Sequence, residues 1–414
     1  MATQILDYAS EIGSLETQKE QAVEERQKEA VEAQQEQVVI TQNEQAFEAN
    51  TKSPISIKEI LAQLDGRFPM DEAVVDVLPK GSTLLSVENF GTSAWTVTGK
   101  VTARNADGTE NIFFLKVAYG EHGGIMLKGE FESSKEIYQL MSDFIPEPCG
   151  FGRYYASDQV TYFYLSEFVD MDIATAPDPV EFTSRLAELH KRSKSPTGKF
   201  GFPVTTCDGK MAHTVEWEES WAVFYRKLFL GVCKLDLETN GRWPELERAT
   251  EQVATKVIDR LLGALQSEGR QIKPCIIHGD LWEGNMGINM ETGDTLLFDA
   301  GSYYAHNEME LGHWRCEFSS QFRSKTWTRH YLRNYPAAEP VDEFDDRNRL
   351  YSIKGAINYA AGHPGSFLRK TAYNNMLYLC EKYAPIDGVD PYDSSIDPSI
   401  TGASIVPHVL EGLV

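Results

Sequence analysis

The sequence predicts an α+β protein in two lobes, a small antiparallel sheet with one inserted helix followed by a larger, mainly helical region. Three observations predict it. Strand-like runs separated by turn signals crowd residues 83–117. The helix-forming stretch LKGEFESSKEIYQLMSDF comes next and is followed by two more strand-like runs. Beyond Asp170 the pattern turns helical, apart from short strands around 275–278 and 295–299. The 414 residues, 42% apolar and 11% aromatic, exceed one compact core but readily fill two.

The elements follow in order. Residues 1–50 form an acidic Gln/Glu-rich tail with 3 basic against 11 acidic side chains. Good helix formers and pairs such as Glu24–Lys28 make it partly helical or disordered, and its apolar positions are too sparse for a sustained heptad. It is a candidate for tail-mediated protein contact. The small lobe spans 51–169. It opens on a short helix over 55–64, then the strands TLLSVENF, AWTVTGKVTA and NIFFLKVA, with turns at Gly91 and 105–108. Strands around 152–155 and in TYFYLSEFV complete it, and residues 170–414 make up the helical lobe.

Charge and cysteines exclude several classes. Lys and Arg total 39 against 62 Asp and Glu, a net charge of −23 that repels phosphate backbones and anionic lipid, so neither nucleic acid nor a membrane surface is expected as partner. No run approaches the roughly 20 apolar residues of a membrane span. The start MATQILDYASEIGSLE has neither the profile of a secretory signal nor that of an Arg-rich transit peptide. Six scattered cysteines without a CxxC pair suit reduced thiols in a cytoplasmic protein.

The strongest chemical signal is CIIHGDLWEGNMGINMETGDTLLFDAGS. Asp280 and Asn285 stand at the five-residue step of the catalytic loop H-x-D-x-x-x-x-N, and Asp299 closes the apolar run TLLF. Phosphoryl transfer from ATP requires hard oxygen donors for Mg²⁺ (or Mn²⁺), here Asn285 and Asp299. It also requires a base that orients the acceptor hydroxyl, here Asp280. Gly279 and Gly284 permit the tight turn. Upstream, the same chemistry demands a strand lysine and a helical glutamate to hold it. Lys116 in NIFFLKVA meets the first demand, and Glu130 the second, with Glu132 and Glu136 as competitors. NFGTSAWTVTGKV lacks G-x-G-x-x-G, so a phosphate-covering role for Gly91, Thr92, Ser93 and Ala94 rests on context. The Glu167 carbonyl and the Val169 amide are placed to bond the adenine edge.

These residues resemble the fructosamine kinase family, the ketosamine-3-kinases, relatives of aminoglycoside and choline kinases with a protein-kinase-like fold. The resemblance runs from about Leu84 to Tyr383. It is carried by HGDLWEGN, FDAGSYYAHNEMEL, KFGFPVTTCDG, EWEESWAVFY and LAELHKRS. It implies ATP-dependent phosphorylation of the sugar O3 of a fructosamine or ribulosamine, on glycated proteins or free ketosamines, leading to deglycation. It also implies Asp280 as base, Asn285 and Asp299 as metal ligands, Lys116 and Glu130 as the phosphate-positioning pair, and Glu167 and Val169 as adenine contacts. His306 and Glu308 are candidates for bonding sugar hydroxyls. Trp217 and Trp221, spaced i,i+4, suit either sugar stacking or core packing. Trp95 stands where some members carry a loop cysteine, and Ala300–Gly301 where many have Pro-Ala. Two alternatives stay open: a kinase of the same fold for another small-molecule hydroxyl, and a catalytically inactive scaffold.

Overall fold

A computed structural model of the protein describes residues 67–401; the expected tail over 1–50 and helix over 55–64 lie outside the described residues. The small lobe is built on one five-stranded antiparallel sheet of β1 (Thr83–Asn89), β2 (Val97–Arg104), β3 (Glu110–Tyr119), β4 (Pro148–Arg153) and β5 (Thr161–Glu167), in the order β1-β2-β3-β5-β4. Helix α1 (Gly120–Leu140) follows β3 directly and packs on β3 and β5. Strand β3 is central, so Val117 and Leu115 are fully enclosed, and Lys116 lies opposite Thr98 on one side and Tyr164 on the other. The register therefore puts an ammonium in the middle of the sheet, where it must find anionic partners.

The larger lobe contains α2 (Pro179–Arg192), α3 (Trp221–Asn240), α4 (Pro244–Gln252), α5 (Lys325–Asn334), α6 (Phe344–Gly362) and α7 (Leu368–Tyr383). Helix α2 starts where sequence rules place a start: Asp178 accepts from the amides of Val180 and Glu181 at 2.9 Å each, with Pro179 in the first position. Helix α6 is enclosed almost all round, packed against α3 and α7. Its buried Arg347 and Lys354 are tolerated because each meets a carboxylate.

Short strands frame the site. β6 (Met171–Asp172), β10 (Met286–Asn289) and β11 (Thr295–Leu297) form one sheet. β9 (Cys275–Ile277) pairs with β12 (Tyr303–Ala305), and β7 (Cys207–Asp208) with β8 (Met211–Ala212). All six cysteines are free thiols. Among the described residues no helix is long and apolar enough to cross a membrane.

Candidate functional site

A cleft of about 500 Å³ gathers residues from both lobes: Thr92, Ser93, Ala94, Lys116 and Glu130 from the small one, Asp208, Asp280, Asn285 and Asp299 from the large one. Lys116 is the link between them. Its Nζ donates to Glu130 Oε1 at 2.7 Å and also contacts Asp299 Oδ1, whose side chain stays 46% exposed to the cleft. Burial alone would lower the Lys116 pKa; the charges of Asp299 and Glu130 outweigh it and raise it above the ordinary range. Burial also pushes the Glu130 carboxyl up, to about 7, against the opposing pull of Lys116. Glu136 instead accepts from Tyr304 Oη at 2.9 Å, and Glu132 lies 3.6 Å from Lys135, so Glu130 is the glutamate that holds the lysine.

The loops carrying Asp280 and Asp299 are tied to each other through a neutral imidazole. His278 Nε2 lies 2.9 Å from the Phe298 carbonyl, and the Asp280 amide lies 3.4 Å from His278 Nδ1. These contacts select the tautomer with the proton on Nε2. Burial lowers the His278 pKa and keeps the ring neutral. Glu310 braces the loop from beneath, accepting the His278 amide at 2.5 Å on Oε2 and the Gly279 amide at 3.1 Å on Oε1. Gly279 has φ +86°, and a Cβ there would lie 2.3 Å from the Gly301 carbonyl oxygen, so only glycine fits between His278 and Asp280. Gly301 is under the same constraint, since its Cβ would meet the Cys207 carbonyl at 2.0 Å. That approach brings β7, and with it Asp208, against the Asp299 loop.

Asp280 faces the acceptor side of this frame. Burial raises its pKa well above the usual carboxylate range; the nearby Asp208 charge adds to the rise and Lys354 opposes it. Asn285 donates Nδ2 to the Asp280 carbonyl at 2.8 Å, which leaves its amide oxygen as a free-standing acceptor type. Asp299 is held at φ +59°, a left-handed conformation that costs a non-glycine residue about 1 kcal/mol and persists where surrounding structure enforces it. An amide oxygen and a partly exposed carboxylate on one cleft wall form a hard-oxygen donor set, which fits Mg²⁺ or Mn²⁺.

The loop over the cleft folds on its own hydroxyls. Ser93 Oγ accepts from the amides of Trp95 and Thr96 at 3.2 and 3.1 Å. Thr92, Ser93 and Ala94 line the cleft; Gly91, at φ +73°, supplies the turn before them. Trp95 does not lie free over the cleft. Lys210 Nζ stands 5.0 Å from its ring centre and the His363 ring 6.0 Å away, edge-on, so the loop leans on the large lobe. Glu167 ends β5 and Val169 follows it in the link to β6; neither belongs to the walls of the cleft described above.

The four candidate sugar-site residues lie away from the cleft walls, and for Trp217 and Trp221 core packing is the reading that the structure favours. Trp221 is fully buried in the α3–α6 core, with its ring nitrogen bonded to Tyr351 Oη at 2.9 Å. His306 is buried beside it, Nδ1 lying 3.0 Å from the same hydroxyl. Glu308 is fully buried and engaged by Arg347 through Nε at 2.8 Å and Nη2 at 3.0 Å. Trp217 packs against Tyr304 at the edge of the core. None of the four lines the cleft, because their helical and loop positions point into the large-lobe core. Sequence reasoning missed Asp208, Trp282, Tyr359 and His363, which do line it, and the bracing Glu310. Asp208 lies within KFGFPVTTCDG, Trp282 within HGDLWEGN and Glu310 within FDAGSYYAHNEMEL; Tyr359 on α6 and His363 just past its end gave no motif signal.

The fructosamine kinase family model matches residues 92–378. The chain is 31% identical over 254 residues to protein-ribulosamine 3-kinase, chloroplastic, of Oryza sativa subsp. indica, covering 60% of this chain and 66% of that one. It is 24% identical to the ketosamine-3-kinase of Mus musculus, over 64% of this chain and 87% of the mouse protein. A solved structure from Thermobifida fusca that carries a fructosamine-3-kinase label superposes with a TM-score of 0.56 at 19% identity, covering 75% of this chain and 98% of that one, which establishes a shared fold. With its lysine–glutamate pair, its HGD loop and its closing aspartate gathered in one cleft, the chain belongs to the fructosamine kinase family.

Proposed function

We propose that the protein is an ATP-dependent ketosamine-3-kinase. It transfers a phosphoryl group to the sugar O3 of a ribulosamine or fructosamine, carried by a protein lysine or a small amine, and so leads to deglycation. The observation that carries the reading is the convergence of Lys116, Glu130, Asp280, Asn285 and Asp299 on one cleft, in a chain of this family.

Each residue has a stated task. Lys116, fixed by Glu130, presents a buried ammonium to the nucleotide phosphates, and Thr92, Ser93 and Ala94 cover them. The Glu167 carbonyl and the Val169 amide, outside the cleft walls at the end of β5 and in the link that follows it, are assigned the adenine edge on the family resemblance alone. Asp280 accepts the hydrogen of the acceptor hydroxyl and holds its oxygen for in-line attack. Its raised proton affinity suits that task. Asn285 and Asp299 would hold Mg²⁺ or Mn²⁺, which when bound neutralises the charge of the phosphates. Free thiols suit a reducing, cytoplasmic setting, and the acidic surface suits cationic amines over nucleic acid or anionic membrane.

The test is turnover with coupled ADP detection on ribulosyl-lysine, fructosyl-lysine, choline and an aminoglycoside. The reading expects ADP release with one or both ketosamines. Strong turnover of choline or the aminoglycoside with none on either ketosamine would transfer the chain to another small-molecule kinase activity.

A further inference from the structure

Beside Asp280 the cleft holds a second carboxylate that the phosphoryl-transfer roles leave unused. Asp208 ends β7, and its Oδ2 takes Lys354 Nζ at 2.9 Å and lies 3.2 Å from His313 Nε2. Lys354 is fully buried and also lies 3.0 Å from His213 Nε2. Enclosing an ammonium and two imidazoles around one carboxylate is costly, and the result is a side chain fixed in position. Both contacts fall on Oδ2. No described group donates to Oδ1, and Asp208 lines the cleft. Ligand atoms of Asp208, Asp280 and His313 all lie within 4.8 Å of one another. On the same wall Asn358 donates Nδ2 to the Asp208 carbonyl at 3.3 Å, and its buried Oδ1 has no partner.

This is a row of hydrogen-bond acceptors next to the base. A cation is a poor occupant, because the Lys354 ammonium already sits on Asp208 and would repel it. A polyol is a good one, since neighbouring sugar hydroxyls present O–H donors side by side. The geometry points to Asp208 as the residue that reads the hydroxyl next to the one phosphorylated. Asp280 receives the O3 hydrogen, and Asp208 Oδ1 accepts from the adjacent 4-hydroxyl. Lys354 and His313 act as positioning residues behind it. The assignment rests on the ketosamine reading and makes acceptor choice depend on a vicinal pair of hydroxyls.

The experiment compares kcat/KM for a ketosamine and its 4-deoxy analogue, in wild type and in Asp208→Asn. A hydrogen bond to a charged acceptor gives wild type a preference for the 4-hydroxyl compound of roughly ten- to a hundredfold. In Asp208→Asn that preference should shrink to about threefold or less, because the variant loses mainly the 4-hydroxyl compound. A merely structural role would lower both acceptors alike and leave the preference intact, which would overturn the assignment. So would equal kcat/KM for the two acceptors in wild type, a result that needs no variant to fold. Failure of wild type to phosphorylate either ketosamine is a different outcome: it sinks the proposed function, and this assignment falls with it.

Discussion

Replacing Lys116 with Met separates what the buried ammonium does for chemistry from what it does for folding. Met has similar length and an apolar stem that replaces the buried stem of Lys116, so the change is mainly electrostatic. On the chemical side, removing one preorganised donor to the transferring phosphoryl group costs about 3–4 kcal/mol, or roughly 10²–10³-fold in kcat/KM. On the stability side, two charge-assisted contacts are lost, to Glu130 and Asp299. Glu130 already titrates near 7 with Lys116 present, and removing the ammonium removes a group that lowers it. In the variant Glu130 therefore takes up a proton and stays neutral, and Asp299 turns to solvent. The net loss of stability should be about 1–3 kcal/mol, less than for a buried charge left stranded.

The pH dependence of that variant follows from the sign of the shift. A carboxyl whose folded-state pKa is raised binds more protons folded than unfolded, so its protonated form stabilises the fold at low pH. That contribution is lost as pH rises through the folded-state value. Lys116→Met should therefore lose more stability relative to wild type at pH 8 than at pH 5.5. Urea unfolding at both values, with kcat/KM by coupled ADP release, checks both halves. Less than about a tenfold fall in kcat/KM, with unchanged ATP affinity, would refute the placement of Lys116 on the phosphates.

Other outcomes follow from the same geometry. Glu310→Gln keeps one acceptor for two loop amides, so one buried N–H loses its partner; stability should fall by about 1–3 kcal/mol by urea unfolding, with kcat reduced more than KM is changed. His306, held neutral by burial with its pKa lowered to about 4, makes the unfolded chain the better proton binder between that value and 6.5. Stability should thus fall as pH drops through that window, by about 3 kcal/mol in all, and His306→Gln should flatten the slope in denaturant titrations at pH 7.5 and 5. Trp95→Ala removes the prop between the covering loop and the large lobe; KM for ATP should rise several-fold while the melting temperature stays within a few degrees.

The small lobe was legible in the sequence because its signals are local. Alternating apolar runs gave β1, β2 and β3, and the strand lysine followed by a helical glutamate gave Lys116 and Glu130 in one ion pair. HGDLWEGN and the closing Asp299 were legible because their chemistry needs fixed residue types at fixed spacing. What local signals did not carry is the facing direction of the helices and loops around the large-lobe core. Trp221 and His306 look like sugar-binding residues, yet Trp221 Nε1 and His306 Nδ1 both meet the Tyr351 hydroxyl, on a helix more than forty residues away from either. Helix α6 is buried on nearly every face, so it shows no amphipathic stripe from which Lys354 or Asn358 would stand out. Asp208 is seen to matter only after Gly301 lets its strand touch the Asp299 loop.

The central claim is that Asp280 activates an acceptor hydroxyl against ATP held by Lys116, Asn285 and Asp299. Its most direct test is product analysis with ATP, Mg²⁺ and ribulosyl- or fructosyl-lysine, comparing wild type with Asp280→Asn. The account predicts a phosphoester on the sugar O3 in wild type. In the variant it predicts loss of at least about 10³-fold in kcat with ATP affinity retained. Undiminished turnover by Asp280→Asn, or a wild-type protein that consumes no ATP over any glycated amine, would contradict it.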